Sequence, residues 1–580
     1  MLNCRVPSVV ARPGVAACVV LVSALVFSPA GRAQPVPSAS VVAQAVPQPL
    51  VPGTIEREFQ PPPQPRARPP MIQLPAAQQR APADAESIRF GVKRVEVEGV
   101  QALPADAVRA LVAPLEGREV SLAELIGVAN RLTATYRNEG FILAQVVVPE
   151  QRLESQDATV RLRAIEGFID AVRFNGDIDA HAQRLDAIAE AIRRVRPVTA
   201  TVLERYLLLL NDIPGLRAAT TLTPSPTMAG AADLEIQISR GTVAGEVSID
   251  NRGSRAVGSW RASADVELSG LTGASRTALK IVGSGDRRLL FGTLQHEQIL
   301  GSEGTRLVVS TGAALSRPSL SASLGVLAPE IESRTFGIFV RHPLLRSRAE
   351  NLALRAGLTG YDGASLANGV RISEERIRAV RLGLTWDRAD ALQGLNVFDL
   401  EISRGLRGLG AIAFDDPGKS RASGRPDFAK AALYAARLQS LARRWSVLVA
   451  ATAQYAFTDL LSPELFGVGG EQFGRGYSGS EILGDSGAAL KVELRYTGTA
   501  DLGWAPNYTL YAFYDAGMVR RRTPVDETAR ASLASAGVGL RFGLEQSLSG
   551  YIELARPLTR PTADRGGRDW RSYAGLTARF

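Results

Sequence analysis

The chain has 580 residues, a formal net charge of +9 at pH 7 and a hydrophobic content of 45%. This length is enough for about two to four domains with a substantial core. The cationic residues are scattered and form no basic block with interleaved aromatic residues, so the positive charge does not predict a partner of nucleic acid.

Residues 1–33 have the pattern of a secretory signal peptide. Two arginines precede an apolar run at residues 15–27, and small residues follow it at the expected cleavage point. Both cysteines of the chain, Cys4 and Cys18, lie in this segment. The mature chain is therefore predicted to be exported and to contain no disulfide bond.

Residues 34–88 are rich in proline, alanine and glutamine. Proline at this density favours an extended linker over a packed domain. A short helix near residues 38–45 is compatible with the composition. No later stretch approaches the ~18–20 consecutive apolar residues that a membrane-spanning helix needs.

Two small α/β modules are predicted next, at residues 89–166 and 167–241, each with strands around two helices. Residues 121–124 (SLAE) have capping-box spacing, and residues 201–204 (TVLE) predict a second capping box. The sequence DIPG at residues 212–215 ends the second helix. The predicted strands include residues 142–148, 158–165, 171–175, 216–223 and 233–240, and a helix is predicted at residues 184–194.

Residues 242–580 show strict alternation of polar and apolar side chains, and sixteen candidate strands can be marked, the last at residues 570–580. Segments of about ten alternating residues are typical of an antiparallel transmembrane β-barrel. One strand carries Lys491, Glu493 and Arg495 on a single face. A charged face suits a water-filled lumen better than the core of a soluble sandwich, which is the alternative interpretation.

Two such modules before a barrel resemble the POTRA domains (polypeptide-transport-associated domains) and barrel of outer-membrane two-partner secretion transporters, the haemolysin-activator and filamentous-haemagglutinin-transporter type. The motifs that carry the resemblance follow one another in the family's order over nearly the whole mature chain. They are VEVEG (95–99), YRNEGFILAQVVVP (136–149), NDIPG (211–215), DNRGS (250–254), RGY (475–477), GD (484–485) and FYDAG (513–517).

The resemblance implies that the loop with Arg475, Gly476 and Tyr477 folds back into the barrel, where Arg475 pairs with Asp515. An arginine in a narrow lumen favours a carboxylate partner, although a solvated charge in an external loop remains the alternative. The family usually has valine before this arginine, whereas this chain has Gly474, which is expected to loosen the loop tip.

Three further positions match the family, namely Gly484, Asp485 and Gly517. Residue 580 is Phe580, and an aromatic residue at the end of a barrel sequence resembles the signal that barrel-insertion machinery recognises in Gram-negative bacteria.

The implied function is transport of an unfolded secreted partner across the outer membrane, with recognition by periplasmic POTRA domains and no use of ATP. The expected partners are a large exoprotein (an adhesin, a haemolysin or a contact-dependent toxin), outer-membrane lipid and the barrel-assembly machinery. The main alternative is a barrel-assembly factor of the same superfamily. A solute porin would explain the barrel but not the modules.

The sequence predicts no enzyme, no metal and no cofactor. The sequence GDSG at residues 484–487 resembles the nucleophile motif of chymotrypsin-type proteases, but His181, His296 and His342 have no protease sequence around them. There is no HExxH motif and no cysteine in the mature chain, and residues 467–472 lack the last glycine of a dinucleotide loop. The sequence leaves open the passenger, the oligomeric state and a pore-plugging helix near residues 38–60.

Overall fold

The computed structural model describes residues 53–60, 62–65, 79–177, 181–228, 230–319, 328–499, 507–524, 529–544 and 547–580. The predicted signal peptide and the helix considered near residues 38–45 lie outside these ranges. The first described element is a short helix, α1 (Thr54–Glu58). Across the described ranges, no helix is both long enough and apolar enough to cross a bilayer.

The first module is a four-stranded sheet in the order β2-β1-β4-β3, with helices packed on it and β1 parallel to β4. The edge strand β2 was not predicted, and β3 is shorter than expected because the preceding residues form a turn, with the Ala144 N–H donating to Phe141 O. The elements are β1 (Arg89–Glu98), α2 (Ala105–Val112), a 3₁₀ turn (Ala113–Leu115), β2 (Arg118–Ser121), α3 (Leu122–Asn138), β3 (Gln145–Val147) and β4 (Ala158–Ile165).

Helix α3 starts at the predicted capping box. Ser121 Oγ accepts from the Glu124 N–H at 3.1 Å, and the Glu124 carboxylate accepts from the Ser121 N–H at 2.9 Å. These reciprocal bonds satisfy two main-chain donors that the helix itself leaves unpaired. The bond from the Ser121 N–H, together with one from Arg118, holds the pKa of the Glu124 carboxyl below its usual value. The apolar face of α3 is buried against the sheet, and Gly140 follows the helix with φ +93°.

The second module has a three-stranded sheet in the order β5-β7-β6, with β5 parallel to β7. The predicted capping box at residues 201–204 is wrong. The N-cap is Thr199, whose Oγ accepts from the Val202 N–H at 3.4 Å. Contacts outside the helix set this start, because Val198 is fully buried and donates to Gly167 O. The elements are β5 (Phe168–Gly176), α4 (Ala182–Arg193), α5 (Ala200–Asn211), β6 (Leu216–Pro224) and β7 (Ala231–Arg240).

A closed antiparallel barrel of sixteen strands follows, which confirms the predicted barrel and its strand number. Pairing of the last strand with the first closes it, so no strand edge is left open to lipid. Its strands are β8 (Val243–Asp250), β9 (Arg261–Ser269), β10 (Ser275–Ser284), β11 (Leu289–Leu300), β12 (Thr305–Ser316), β13 (Pro329–Arg346), β14 (Glu350–Ala367), β15 (Val370–Ala389), β16 (Gly394–Gly405), β17 (Ala429–Ser440), β18 (Trp445–Ala456), β21 (Ser486–Thr499), β22 (Asn507–Arg520), β23 (Arg530–Leu544), β24 (Leu548–Pro557) and β25 (Arg571–Arg579). Two short strands, β19 (Phe466–Val468) and β20 (Ile482–Gly484), pair with each other and are not part of the barrel wall.

The two faces of the wall alternate as the sequence predicts. In and beside β25, Arg571 and Tyr573 point inward and are buried, whereas Trp570 and Leu576 are exposed on the outer face. The outer face is apolar, as a lipid-facing surface requires. Charged side chains therefore collect in the lumen, where they pair with one another.

The second module is attached to the barrel end at which the chain enters. Asp212 accepts two hydrogen bonds from Arg346, both at 2.7 Å. Arg205 and the Tyr206 hydroxyl each donate to Glu303 at 2.9 Å. Ion pairs thus fix this module at the rim of the barrel.

Candidate functional site: a hairpin inside the barrel lumen

The hairpin formed by β19, residues 469–481 and β20 lies inside the barrel. Its apolar side chains pack with apolar residues of the inner wall into one buried cluster. The hairpin contributes Phe466, Val468, Phe473, Tyr477 and Ile482, and the wall contributes Val397, Tyr434, Ala436, Leu448, Ala450, Ala489, Val519 and Leu533. The alternative of a solvated external loop is therefore wrong for this segment.

Arg475, at the tip of the hairpin, is 3% exposed and pairs with fully buried Asp515 on β22. Its Nε lies 2.9 Å from Asp515 Oδ2 and its Nη2 lies 2.8 Å from Asp515 Oδ1, which is the bidentate geometry that a guanidinium forms with a carboxylate. Its Nη1 donates to Glu493 at 2.5 Å, and Glu553 lies 3.7 Å away. The guanidinium carbon also lies 3.5 Å from the ring centroid of Phe513.

The main chain of the tip contributes to the same carboxylate. Asp515 Oδ2 accepts from the Gly474 N–H at 3.2 Å and from the Arg475 N–H at 3.0 Å. Gly474 has φ +107°, a conformation that a β-branched residue such as valine rarely adopts. The glycine thus permits a tight turn onto Asp515, in contrast to the expected loosening of the tip.

The two residues after Arg475 lie against β23 and β24. A Cβ on Gly476 would lie 2.9 Å from Ser535 Cβ and 2.9 Å from the Pro557 nitrogen, so a larger residue would push the tip off the wall. The Tyr477 side chain is 1% exposed, and its hydroxyl lies 3.2 Å from the carbonyl oxygens of both Ala534 and Arg560. Both residues place the tip at one position on the wall.

Asp485, at the end of the hairpin, holds a second charged contact. It is fully buried and takes two hydrogen bonds from Arg421, at 2.8 and 3.1 Å. Arg421 belongs to the connection at residues 406–428, which covers the barrel end opposite the modules. The neighbouring Gly484 and Gly517 lie where a Cβ would come within 2.8 Å of Arg520 O and 2.5 Å of Val468, respectively.

Helix α1 also lies in the lumen, so the linker does contain a helix there. The ring of Phe59, just after α1, stacks on Phe291 at 5.0 Å between centroids. Glu58 accepts from Arg261 at 2.5 Å, and a Cβ on Gly479 of the hairpin would lie 2.8 Å from its Oε2. Both α1 and the hairpin therefore lie in the interior of the barrel.

Phe580 lies at the seam that closes the barrel. Its N–H donates to Gly245 O at 3.0 Å, and its carbonyl accepts from the Gly245 N–H at 2.9 Å. The side chain is 70% exposed on the outer face. Its role in barrel insertion stays a prediction.

The protease interpretation finds no supporting geometry. The Ser486 hydroxyl accepts from the Ala456 N–H at the start of β21, and the neighbouring Asp485 is bound to Arg421. His296 and His342 contact Thr277 and Thr305 in other strands. The GDSG stretch is the junction between β20 and β21.

Sequence reasoning named Arg475, Asp515 and Asp485. It did not name Glu493 and Phe513 as contacts of Arg475, or Arg421 as the partner of Asp485. Glu493 belongs to the alternating strand, and Phe513 belongs to the FYDAG motif. The alternation of side chains places Glu493 on the same face as Lys491, and Phe513 on the same face as Asp515, which would have indicated that both point into the lumen. Arg421 gave no signal, because its contact with Asp485 joins residues 64 positions apart across two connections.

Comparisons with known proteins agree with this architecture. The sequence model of the haemolysin secretion/activation protein family ShlB/FhaC/HecB matches residues 320–542, and that of the POTRA domain of ShlB type matches residues 90–167. The chain belongs to the haemolysin secretion/activation family. As a member of this family it is a two-partner secretion transporter of the outer membrane, and its POTRA domains are periplasmic.

Relatives of this family member cover most of its length. It is 22% identical to the heme/hemopexin transporter protein HuxB of Haemophilus influenzae over 82% of this chain and 84% of the relative. It is 23% identical to the outer membrane transporter CdiB of Escherichia coli over 85% of this chain and 82% of the relative. The fold is similar to that of the solved CdiB of Escherichia coli, with a TM-score of 0.70 and 20% identity over 87% of this chain and 92% of that one. CdiB of Acinetobacter baumannii gives a TM-score of 0.60 at 16% identity, over 91% and 95% of the two chains.

Proposed function

We propose that this transporter secretes one large partner protein as an extended chain, and that α1 and the Arg475 hairpin close the lumen until the partner arrives. The observation that carries the proposal is the position of α1 and the hairpin inside the lumen. Both obstructions are held by side-chain contacts and not by the strand pairing of the wall. They can therefore leave or move while the barrel stays closed.

The two POTRA modules supply the first contact with the partner. Their sheets end in outer strands, β2 and β3 in the first and β5 and β6 in the second. An outer strand has main-chain N–H and carbonyl groups without a strand partner. An extended polypeptide can form hydrogen bonds with these groups through its own main chain, so binding depends little on its sequence. Because the second module is fixed at the barrel rim, a bound segment is held at the pore entrance.

Opening the pore then requires two rearrangements. Helix α1 has five residues, and Ile55 and Phe59 of this segment pack on one small apolar cluster of the wall, so its departure exposes a limited hydrophobic surface. The hairpin must shift from its position across the lumen, and Arg475 must exchange or keep its carboxylate partners as it moves. The cluster of Asp515, Glu493 and Glu553 offers alternative partners along the wall.

No ATP is required in this scheme. Folding of the partner outside the cell removes it from the lumen and gives the transport its direction. The partner is an adhesin, a haemolysin or a contact-dependent toxin, and the similarity to the heme/hemopexin transporter HuxB adds heme/hemopexin transport to the candidate roles. The chain itself acts as a transporter and not as an enzyme, and it contacts lipid and, during biogenesis, the barrel-assembly machinery through Phe580.

A barrel-assembly factor is the second candidate function. The barrel has the fold of BamA from Haemophilus ducreyi, with a TM-score of 0.50 at 12% identity over 85% of this chain and 100% of that one. The two modules of this chain favour secretion, because barrel-assembly factors generally carry three or more such modules. Deleting the gene in its host and quantifying outer-membrane barrels separates the two. A transporter leaves their levels unchanged, whereas an assembly factor lowers many of them.

A further inference from the structure

The outer edge of β3 in the first module is partly occupied by the module itself. β3 pairs with β4 on one side, and the Val146 N–H points to the other side, where Thr133 Oγ1 of α3 accepts it at 2.9 Å. The Thr133 hydroxyl donates in turn to Ala129 O at 3.0 Å, and Thr133 is 3% exposed. A full strand that added along the centre of β3 would have to displace this side chain.

Gln79, in the segment before the first module, occupies the rest of this edge. Its main-chain N–H donates to Asn130 Oδ1 at 3.1 Å, and its main-chain carbonyl accepts from Asn130 Nδ2 at 3.1 Å. Its side-chain Oε1 accepts from the Val148 N–H, also at 3.1 Å. A residue outside the module thus satisfies three polar groups of the groove between α3 and β3.

Two of the three hydrogen bonds do not depend on a glutamine, because they are made by its main chain. A primary amide has a donor and an acceptor side by side, so Asn130 can bind the N–H and the carbonyl of any single residue. The Val148 N–H donates to the side-chain oxygen of Gln79, and it can donate to a main-chain carbonyl in the same way. Asn130 and Val148 together form a clip for main chain.

We propose that this clip binds an extended segment of the secreted partner, and that Gln79 occupies it until the partner displaces Gln79. This inference rests on the proposed function and replaces full strand addition at β3 with recognition of one or two residues. Gln79 follows α1 in the same chain. Its displacement therefore connects partner binding to the segment that lies in the lumen.

The test compares variants of the full-length transporter in detergent. The probe is fluorescein-labelled, reduced and carboxymethylated α-lactalbumin, a permanently unfolded polypeptide, and binding is measured by fluorescence anisotropy. Gln79→Pro removes the N–H that Asn130 binds but leaves the clip intact, so the probe should bind about three- to tenfold tighter, as expected from the loss of a competing hydrogen bond. Asn130→Ala frees Gln79 as well but removes the clip, so binding should be weaker than in Gln79→Pro by a similar factor.

Asn138 is an exposed asparagine at the end of the same helix, so Asn138→Ala is the matched control. This variant should bind the probe with the affinity of the unaltered protein. Asn130→Asp keeps the acceptor and loses the donor, so it should fall between the two extremes even if Asn130→Ala unfolds the module. Equal affinity of Gln79→Pro and Asn130→Ala, or no binding by any variant, would overturn the proposal. Secretion can persist in that case, so this failure is distinguishable from failure of the proposed function, which would appear as the absence of a secreted partner.

Discussion

Arg475 and Asp515 are joined by two side-chain hydrogen bonds and one main-chain hydrogen bond although they lie 40 positions apart. Neither side chain is accessible to solvent beyond 3%. Removing one member of a buried pair costs about 3–5 kcal/mol, because the other charge is left without compensation. This contact is therefore one of the main determinants of the position of the hairpin in the lumen.

Substitution Arg475→Ala should leave the barrel in the membrane and reduce secretion by about tenfold or more, because the moving hairpin then loses its pairing with the carboxylates of the wall. Insertion should persist because Arg475 takes no part in strand pairing. The measurement is the amount of partner in the medium, with heat-modifiable mobility of the barrel as the check on insertion. Arg579→Ala is the control, because its ion pair with Glu246 is exposed and contributes little. Normal secretion by a well-inserted Arg475→Ala variant would contradict the role given to this residue.

Substitution Asp212→Ala should loosen the second module from the barrel rim. It removes both hydrogen bonds from Arg346 and leaves that cation without its nearest carboxylate. Limited proteolysis of the purified protein should then cut between module and barrel several times faster, and secretion should fall. Asp186→Ala, an exposed change on α4, should leave the cleavage rate unaltered. Equal protection of the Asp212 and Asp186 variants would mean that the Asp212 contact is not needed to hold the module, and that other contacts such as those of Arg205 and Tyr206 with Glu303 suffice.

Substitution Arg421→Ala should increase the ion conductance of the barrel in planar bilayers. Arg421 ties the connection at residues 406–428 to Asp485, and the buried Ile412 and Phe428 of that connection pack with the hairpin. In this variant Asp485 still accepts hydrogen bonds from the N–H groups of Leu460 and Arg522. The hairpin should therefore stay folded while the connection at residues 406–428 moves away from the barrel end. Unchanged conductance would show that this cover does not limit ion flow.

Cross-linking α1 to the wall should block secretion. The chain has cysteines only at positions 4 and 18, in the predicted signal peptide, so paired cysteines can be introduced at Phe59 and Phe291, whose rings stack at 5.0 Å. A short, reducible bis-maleimide should stop secretion in the double variant, and reduction should restore it. The single variants treated in the same way are the controls. Full secretion by the cross-linked protein would mean that the partner passes without departure of α1.

The sequence predicted what depends on periodicity. Alternation along strands predicted the sixteen-stranded wall and the inward face of Glu493, because a one-residue change of register would reverse every side chain. The capping box at Ser121 was predicted correctly, since its partners lie within one turn. The cap at Thr199 was missed, because Thr201 offers the same local chemistry and only the burial of Val198 decides between them.

The site was only partly predictable for a related reason. The pair of Arg475 and Asp515 came from a family resemblance, and its roles in transport stay predictions. The contacts of Arg421 with Asp485 and of Gln79 with Asn130 join loops or linkers to distant elements, and no periodic pattern marks such residues. The conformation of Gly474 could not be read from composition, since only its φ shows that the turn is tight.

The most direct test of the central claim is the proteome of the culture medium of the host with and without this gene. The account predicts that one large extracellular protein disappears on deletion and returns with the unaltered gene but not with Arg475→Ala. A medium that loses no protein, or a broad fall in many outer-membrane barrels, would contradict it.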